Sequence, residues 1–122
     1  MEKKDRIRKM AIVAEADCWD GVGNKEGKTI LELLLIVTAG EDRGDVINRQ
    51  YVFEGDPPDY ICRDLLRMGY LVHTVEDLKK AADELVGMVV RVSLVRDGDT
   101  FRVFIDDYFG RDDPEKYKTG IR

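Results

Sequence analysis

"TILELLLIVT", residues 29–38, has a composition that suits either a helix or a strand, and the fold turns on which it is. Leucine and glutamate favour helix by propensity. The run is short, however, and glycine-rich segments bound it on both sides, which points to a strand. Alternation then places Leu31, Leu33, Leu35 and Val37 on one face. Ile30, Glu32, Leu34 and Ile36 take the other, where only Glu32 is polar. A strand apolar on both faces belongs inside a sheet, between two neighbours.

Towards the C-terminus, "AGEDRGD" (39–45) reads as a turn and "VINRQYVFE" (46–54) as a second strand forming a hairpin with the first. The period then changes. In "GDPPDYICRDLLRMGY", Asp56 is placed to cap a helix and Pro57 to occupy its first position. Tyr60, Ile61, Leu65 and Met68 follow at helical spacing, and Gly69 stops the run. "HTVEDLKKAADELVG" repeats the pattern, with Thr74 as cap, Asp77 three residues on, and a stripe of Leu78, Ala82 and Leu85 before Gly87. "MVVRVSLVRDGDTFRVFIDDY" is a hairpin around the Asp97-Gly98 turn signal. Within it, Phe101, Val103 and Ile105 alternate with Arg102, Phe104 and Asp106.

Towards the N-terminus, residues 17–29 read as a glycine-rich loop that holds Trp19, the only tryptophan. "RKMAIVAEA" (8–16) reads as a strand with a helical alternative. The order is strand, strand, strand, helices, strand, strand. Five short strands with helices between the third and fourth predict a mainly β protein, a five-stranded Greek-key barrel of the OB-fold type. The expected division is a charged N-terminal arm (1–8), the barrel domain (9–109) and a polar C-terminal tail (110–122).

The chain has 122 residues, 43% of them hydrophobic, enough for one core. Its net charge of −5 disfavours a sequence-independent polyanion binder unless a local groove outweighs the total. One histidine and two cysteines, Cys18 and Cys62, are too few for a structural zinc site. No catalytic arrangement can be built on that one histidine, so neither an enzyme nor a cofactor is expected. The Asp97-Gly98-Asp99 and Asp106-Asp107 carboxylates lack the ligand ladder of a calcium loop and read as a turn and a strand end. No apolar run approaches the ~20 residues of a membrane span, and a cytoplasmic protein with no membrane partner is expected.

On an OB barrel, ligands use the face of strands 2 and 3 together with the loops joining strands 1–2 and 4–5. The candidate residues are Trp19, Lys25 and Lys28 in the first loop, and Arg49 and Tyr51 on strand 3. Arg91, Arg96, Arg102 and Phe104 on the last hairpin complete the set. Cations that track phosphates and rings that stack on unpaired bases hold single-stranded nucleic acid. Each has a plainer reading. Trp19 could fold back over the barrel mouth, Tyr51 could be core, and the arginines could be solvated surface paired with the abundant carboxylates. Phe104 lies outside if its alternating neighbours are core, against ligand, helix or another subunit.

Over residues 9–108 the chain resembles a family of small phage and prophage proteins with an OB fold like that of single-stranded-DNA-binding proteins. The resemblance lies in "GKTILELLLIV", "GEDRGDVINRQYVF", "ICRDLLRMGY", "DELVGMVVRVSL" and "DTFRVFIDDY". It implies a non-enzymatic binder of single-stranded DNA in phage replication or recombination, inside a bacterial host, with replication or recombination proteins as further partners. The tail departs from the acidic recruiting tail of bacterial single-strand binders. It mixes Asp112, Asp113 and Glu115 with Arg111, Lys116, Lys118 and Arg122. A rival expectation is a protein-interaction or assembly module, self-association included, which the acidic balance and Phe104 would suit.

Overall fold

The computed structural model describes residues 6–118. The part of the charged arm at 1–5 and the tail end at 119–122 lie outside the described residues. Five strands form one antiparallel sheet: β1 (Arg6–Asp20), β2 (Thr29–Val37), β3 (Val46–Phe53), β4 (Met88–Asp97) and β5 (Thr100–Arg111). Two helices, α1 (Asp59–Arg67) and α2 (Val75–Ala82), lie between β3 and β4 in the chain. The sheet order is β3-β2-β1-β4-β5.

Residues 29–37 of the predicted run 29–38 are a strand, as its boundaries predict. β2 is interior, with Leu31, Leu33 and Leu35 fully buried on the core face and Ile30 and Ile36 buried on the other. The middle position belongs to β1. Its first half pairs with β4 (Arg6↔Val95 to Ile12↔Val89) and its second half with β2 (Ala11↔Val37 to Asp20↔Thr29). A β-bulge between Val13 and Glu15 divides the halves. An extra residue at a bulge bends its strand and strengthens its twist. It also shifts the core-facing set from Ala11 and Val13 to Ala16 and Cys18.

Four expectations are corrected. β1 runs through Asp20, so Trp19 stands on a strand opposite Ile30, and only residues 21–28 connect β1 to β2. The bulge and the apolar Cys18 explain the longer strand, because the core-facing alternation resumes after one extra residue. α1 starts two residues after Pro57, with Pro58 at its cap and no side-chain cap bond from Asp56. α2 ends at Ala82, and Leu85 reaches the core from turns closed by Glu84 N–H to Ala81 O and Leu85 N–H to Ala82 O. Finally, the five strands remain one unclosed sheet. Among the described residues β3 and β5 are not paired, so each is an edge.

Several local signals act as read. Gly69 (φ +92°) ends α1 in a Schellman arrangement, with Gly69 N–H on Leu66 O and Tyr70 N–H on Leu65 O. Thr74 and Asp77 form a reciprocal capping box at α2. Gly98 (φ +68°) begins the two-residue turn that joins Asp97 to Thr100.

The helices cover the inner face of the sheet. Ile61 and Leu65 of α1, Met68 at its C-cap, and Leu78, Ala81 and Ala82 of α2 meet the inward residues of all five strands in one core. Filling this core is the main stabilising term, and truncating a fully buried leucine such as Leu33 costs ~2–5 kcal/mol. A smaller apolar cluster, Ile12, Ala14 and Ile36, lies on the outer face. It is covered by Tyr117 from a 3₁₀ turn at Pro114–Tyr117, so the segment read as tail adds a seal through residue 118. No helix among the described residues is long and apolar enough to cross a membrane.

Candidate functional site

The sheet curls far enough for its two free edges to line one cleft. Residues 48–50 of β3 form one side, residues 101–104 of β5 the other, and α1 lies along it with Tyr60, Arg63, Asp64 and Arg67. The cleft is open to solvent and has a volume of about 670 Å³.

α1 supplies two faces from one short sequence. Ile61, Leu65 and Met68 point into the core, while Tyr60, Arg63, Asp64 and Arg67 follow at the i, i+3, i+4, i+7 spacing of a second stripe. Arg67 fixes the helix to the neighbouring edge, its Nη1 donating to the Ile105 carbonyl of β5 at 3.1 Å. An edge carbonyl that would otherwise invite another strand is thereby occupied.

Under the cleft floor, the Tyr51 hydroxyl donates to Asp64 Oδ2 at 2.6 Å. Both side chains are buried, Tyr51 at 1% exposure and Asp64 at 7%. Burial pushes the Asp64 carboxyl upward, against the Tyr51 hydroxyl bond and the charges of Arg49, Arg67 and Arg63, which pull it down. Burial likewise pushes the Tyr51 hydroxyl upward, so it remains a donor. The Arg49 guanidinium lies 3.9 Å from the Tyr51 ring centroid and donates through Nη1 to the Gln50 carbonyl. Its buried Nε has no hydrogen-bond partner among the described residues. Tyr60, half exposed, approaches Tyr51 at 6.5 Å between ring centroids.

The β5 wall pairs guanidinium with ring twice. Arg102 lies over Phe104 at 5.4 Å, and Arg96 over Phe101 at 5.1 Å. Phe101 shares the inward side of β5 with Val103 and Ile105, whereas Phe104 faces outward, as the alternation predicts. Both reach the cleft because β5 is an edge.

Arg49, Arg102 and Phe104, all expected from the sequence, line the cleft together, and Arg96 stands beside it over Phe101. Tyr51 is beneath it, a core residue with its hydroxyl engaged. The others lie elsewhere. Trp19 is on the outer face of the sheet, on the same side as Glu15 and Asp17, with Asp17 directly opposite Glu32. Lys25 is exposed in a 3₁₀ turn (Gly23–Lys25), and Lys28 pairs with Glu54 at 3.4 Å. Arg91, towards the far end of β4, pairs with Asp107 and lies 5.5 Å from the Phe109 ring.

Eight lining residues were not anticipated as site residues, among them Tyr60, Arg63, Arg67 and Phe101. The signal was the spacing of Tyr60, Arg63 and Arg67 opposite the apolar stripe of the same helix. Four arginines thus line the cleft against one carboxylate, Asp64, which is turned towards Tyr51. A strongly positive site has formed in a chain of net charge −5. No cluster of three or more histidine, cysteine, aspartate or glutamate side chains suited to a metal occurs among the described residues. No family model, no curated protein and no solved structure matches the chain.

Proposed function

We propose that the protein binds single-stranded DNA in the cleft between β3, α1 and β5, without catalysis. The observation that carries this reading is the gathering of Arg49, Arg63, Arg67 and Arg102 with the rings of Tyr60, Phe101 and the half-buried Phe104. Arginine forks match phosphate oxygens, and rings and guanidinium planes stack on unpaired bases. A cleft of about 670 Å³ has the size of a small-molecule site. It suits a few nucleotides of an extended strand and is too confined for a duplex.

The sheet order β3-β2-β1-β4-β5 supports reading the fold as a five-stranded Greek-key barrel opened at one seam. On this reading the fold is of the OB type, with the β3–β5 closure replaced by the ligand cleft and by the Arg67 bond to β5. The resemblance to phage and prophage single-strand binders supports this reading and points to a role in phage replication or recombination.

The test is titration of a labelled oligo-dT strand by fluorescence anisotropy, with a duplex of matched length as comparison, at low and moderate salt. Single-strand binding that weakens steeply with salt is the expected result. Absence of single-strand binding at low salt, or equal affinity for the duplex, overturns it. A second reading, an assembly module, draws on Tyr108 and Phe109, both largely exposed on the edge strand β5. Light scattering tests it. A stable oligomer that a Phe109→Ser substitution dissolves supports it, and a monomer at all concentrations removes it.

A further inference from the structure

The two walls of the cleft differ in chemistry. On α1, Arg63 and Arg67 are one helical turn apart on the same face, so their side chains start about 5–6 Å from each other. No ring covers either guanidinium among the described residues. Arg63 makes no hydrogen bond or ion pair there. Arg67 uses Nη1 for the Ile105 carbonyl and lies at the 4.0 Å limit from Asp64 Oδ1. Their planar forks are therefore available to oxygens rather than to rings. On the β5 wall the situation is reversed. Phe101 and Phe104 each carry a guanidinium over the ring, from Arg96 and Arg102. A guanidinium–ring pair is a stack already begun, and a flat π-face adds to it at little further ordering cost. The Arg67–Ile105 bond holds the walls at a set separation, so neither has to be assembled when ligand arrives.

We infer that the cleft sorts its ligand: α1 holds the sugar–phosphate backbone through Arg63 and Arg67, and the β5 wall stacks the bases on Phe101 and Phe104. This rests on the single-strand reading above. The strand runs along α1 with its phosphates towards the helix and its bases towards the edge of β5. Asp64 Oδ2 is committed to the Tyr51 hydroxyl below, and Oδ1 meets Arg67 only at 4.0 Å, so the carboxylate offsets the phosphate wall weakly.

Two probes separate the walls: oligo-dT, and an abasic phosphodiester strand of the same length. Arg63→Gln and Arg67→Gln should weaken both probes by similar, several-fold factors. Each should reduce the log–log salt slope by about 1. Phe101→Leu and Phe104→Leu should weaken oligo-dT between about fivefold and a hundredfold, leaving the abasic strand and the salt slope unchanged. Arg67 also anchors α1, so Arg63→Gln, which removes no hydrogen bond or ion pair, keeps the phosphate arm decisive if the Arg67 variant unfolds. The inference is overturned if Arg63→Gln leaves both affinities and the slope unchanged, or if the ring variants weaken the abasic strand as much as oligo-dT. If the wild-type protein binds neither probe, the single-strand reading falls and this inference falls with it. If binding is intact but unsorted, only this inference falls.

Discussion

The cleft and the outer face around Trp19 use the same residue types to opposite effect. In the cleft, four arginines meet one carboxylate, and the rings of Phe101 and Phe104 carry guanidinium groups. Around Trp19, the sheet presents Glu15, Asp17 and Glu32, with Asp17 and Glu32 directly opposite one another. Like charges opposite each other on neighbouring strands repel. Asn48 relieves part of this by donating to Glu32 at 2.8 Å. An exposed aromatic ring is thus no guide to a stacking platform until the charges beside it are known. Net charge is no guide to a local field either, because the −5 of the chain is an average over surfaces of opposite sign.

The sharpest way to break this contrast is to reverse the charge of the cleft alone. Arg49→Glu combined with Arg102→Glu should reduce low-salt affinity for oligo-dT by at least ~100-fold, with the circular dichroism of the sheet retained. Retained binding would move the ligand elsewhere. Next comes the floor. Asp64→Ala leaves the buried Tyr51 hydroxyl without an acceptor and should cost ~1–3 kcal/mol in urea unfolding. Asp64→Asn keeps an acceptor and should cost less. On the opposite side, Gly87 (φ +96°) donates to Val13 O, and an added Cβ would lie 3.0 Å from the Asp112 carbonyl. Gly87→Ala should therefore cost about 1–2 kcal/mol through left-handed strain and should leave oligo-dT affinity unaltered.

A smaller effect distinguishes the two sides by pH. Asp112, beside the outer seal, is held down at about 2 by Lys116, the Asp113 N–H and the Tyr117 hydroxyl. The stability from its ionised form is present above the unfolded carboxyl value of about 3.9, and is lost as pH falls through about 2. Asp64 has the opposite sign. Its raised value favours the folded state at low pH, and that contribution is lost as pH rises through the folded value. Thermal midpoints followed into acid should fall less steeply in Asp112→Asn than in wild type. The smallest effect is expected at Trp19: Trp19→Phe should change oligo-dT affinity by less than about twofold, because the acidic outer face excludes phosphate. Strong quenching of Trp19 fluorescence by oligo-dT would instead put the ligand on that face and undo the contrast.

Much of the sheet was legible because its signals are local. The short apolar run at 29–38, the turn glycines, the Thr74–Asp77 box and the change of period at Asp56 each depend on a few adjacent residues. What was not legible depends on distant parts of the chain. The bulge at Ala14 breaks the alternation that would have carried β1 through Trp19. The cleft joins β3 to β5, about fifty residues apart in the sequence, and no periodicity reports which edges come together. The arginines of α1 were visible as a spacing, yet they became a site only once an edge strand stood opposite them.

The bulge has one more consequence. It makes β1 a strand with two phases, odd-numbered residues inward before it and even-numbered residues inward after it. Removing Ala14 would restore plain alternation without moving a core residue outward or a charged residue inward, whereas loss of a single residue further along, such as Cys18, would throw the remainder of β1 out of phase. The sheet would survive the first deletion as a sheet. It would lose the local bend through which one strand serves β4 with its first half and β2 with its second. The distance between two edges that never touch is therefore set in part by a supernumerary alanine in the middle strand, on neither wall of the opening whose width it helps to fix.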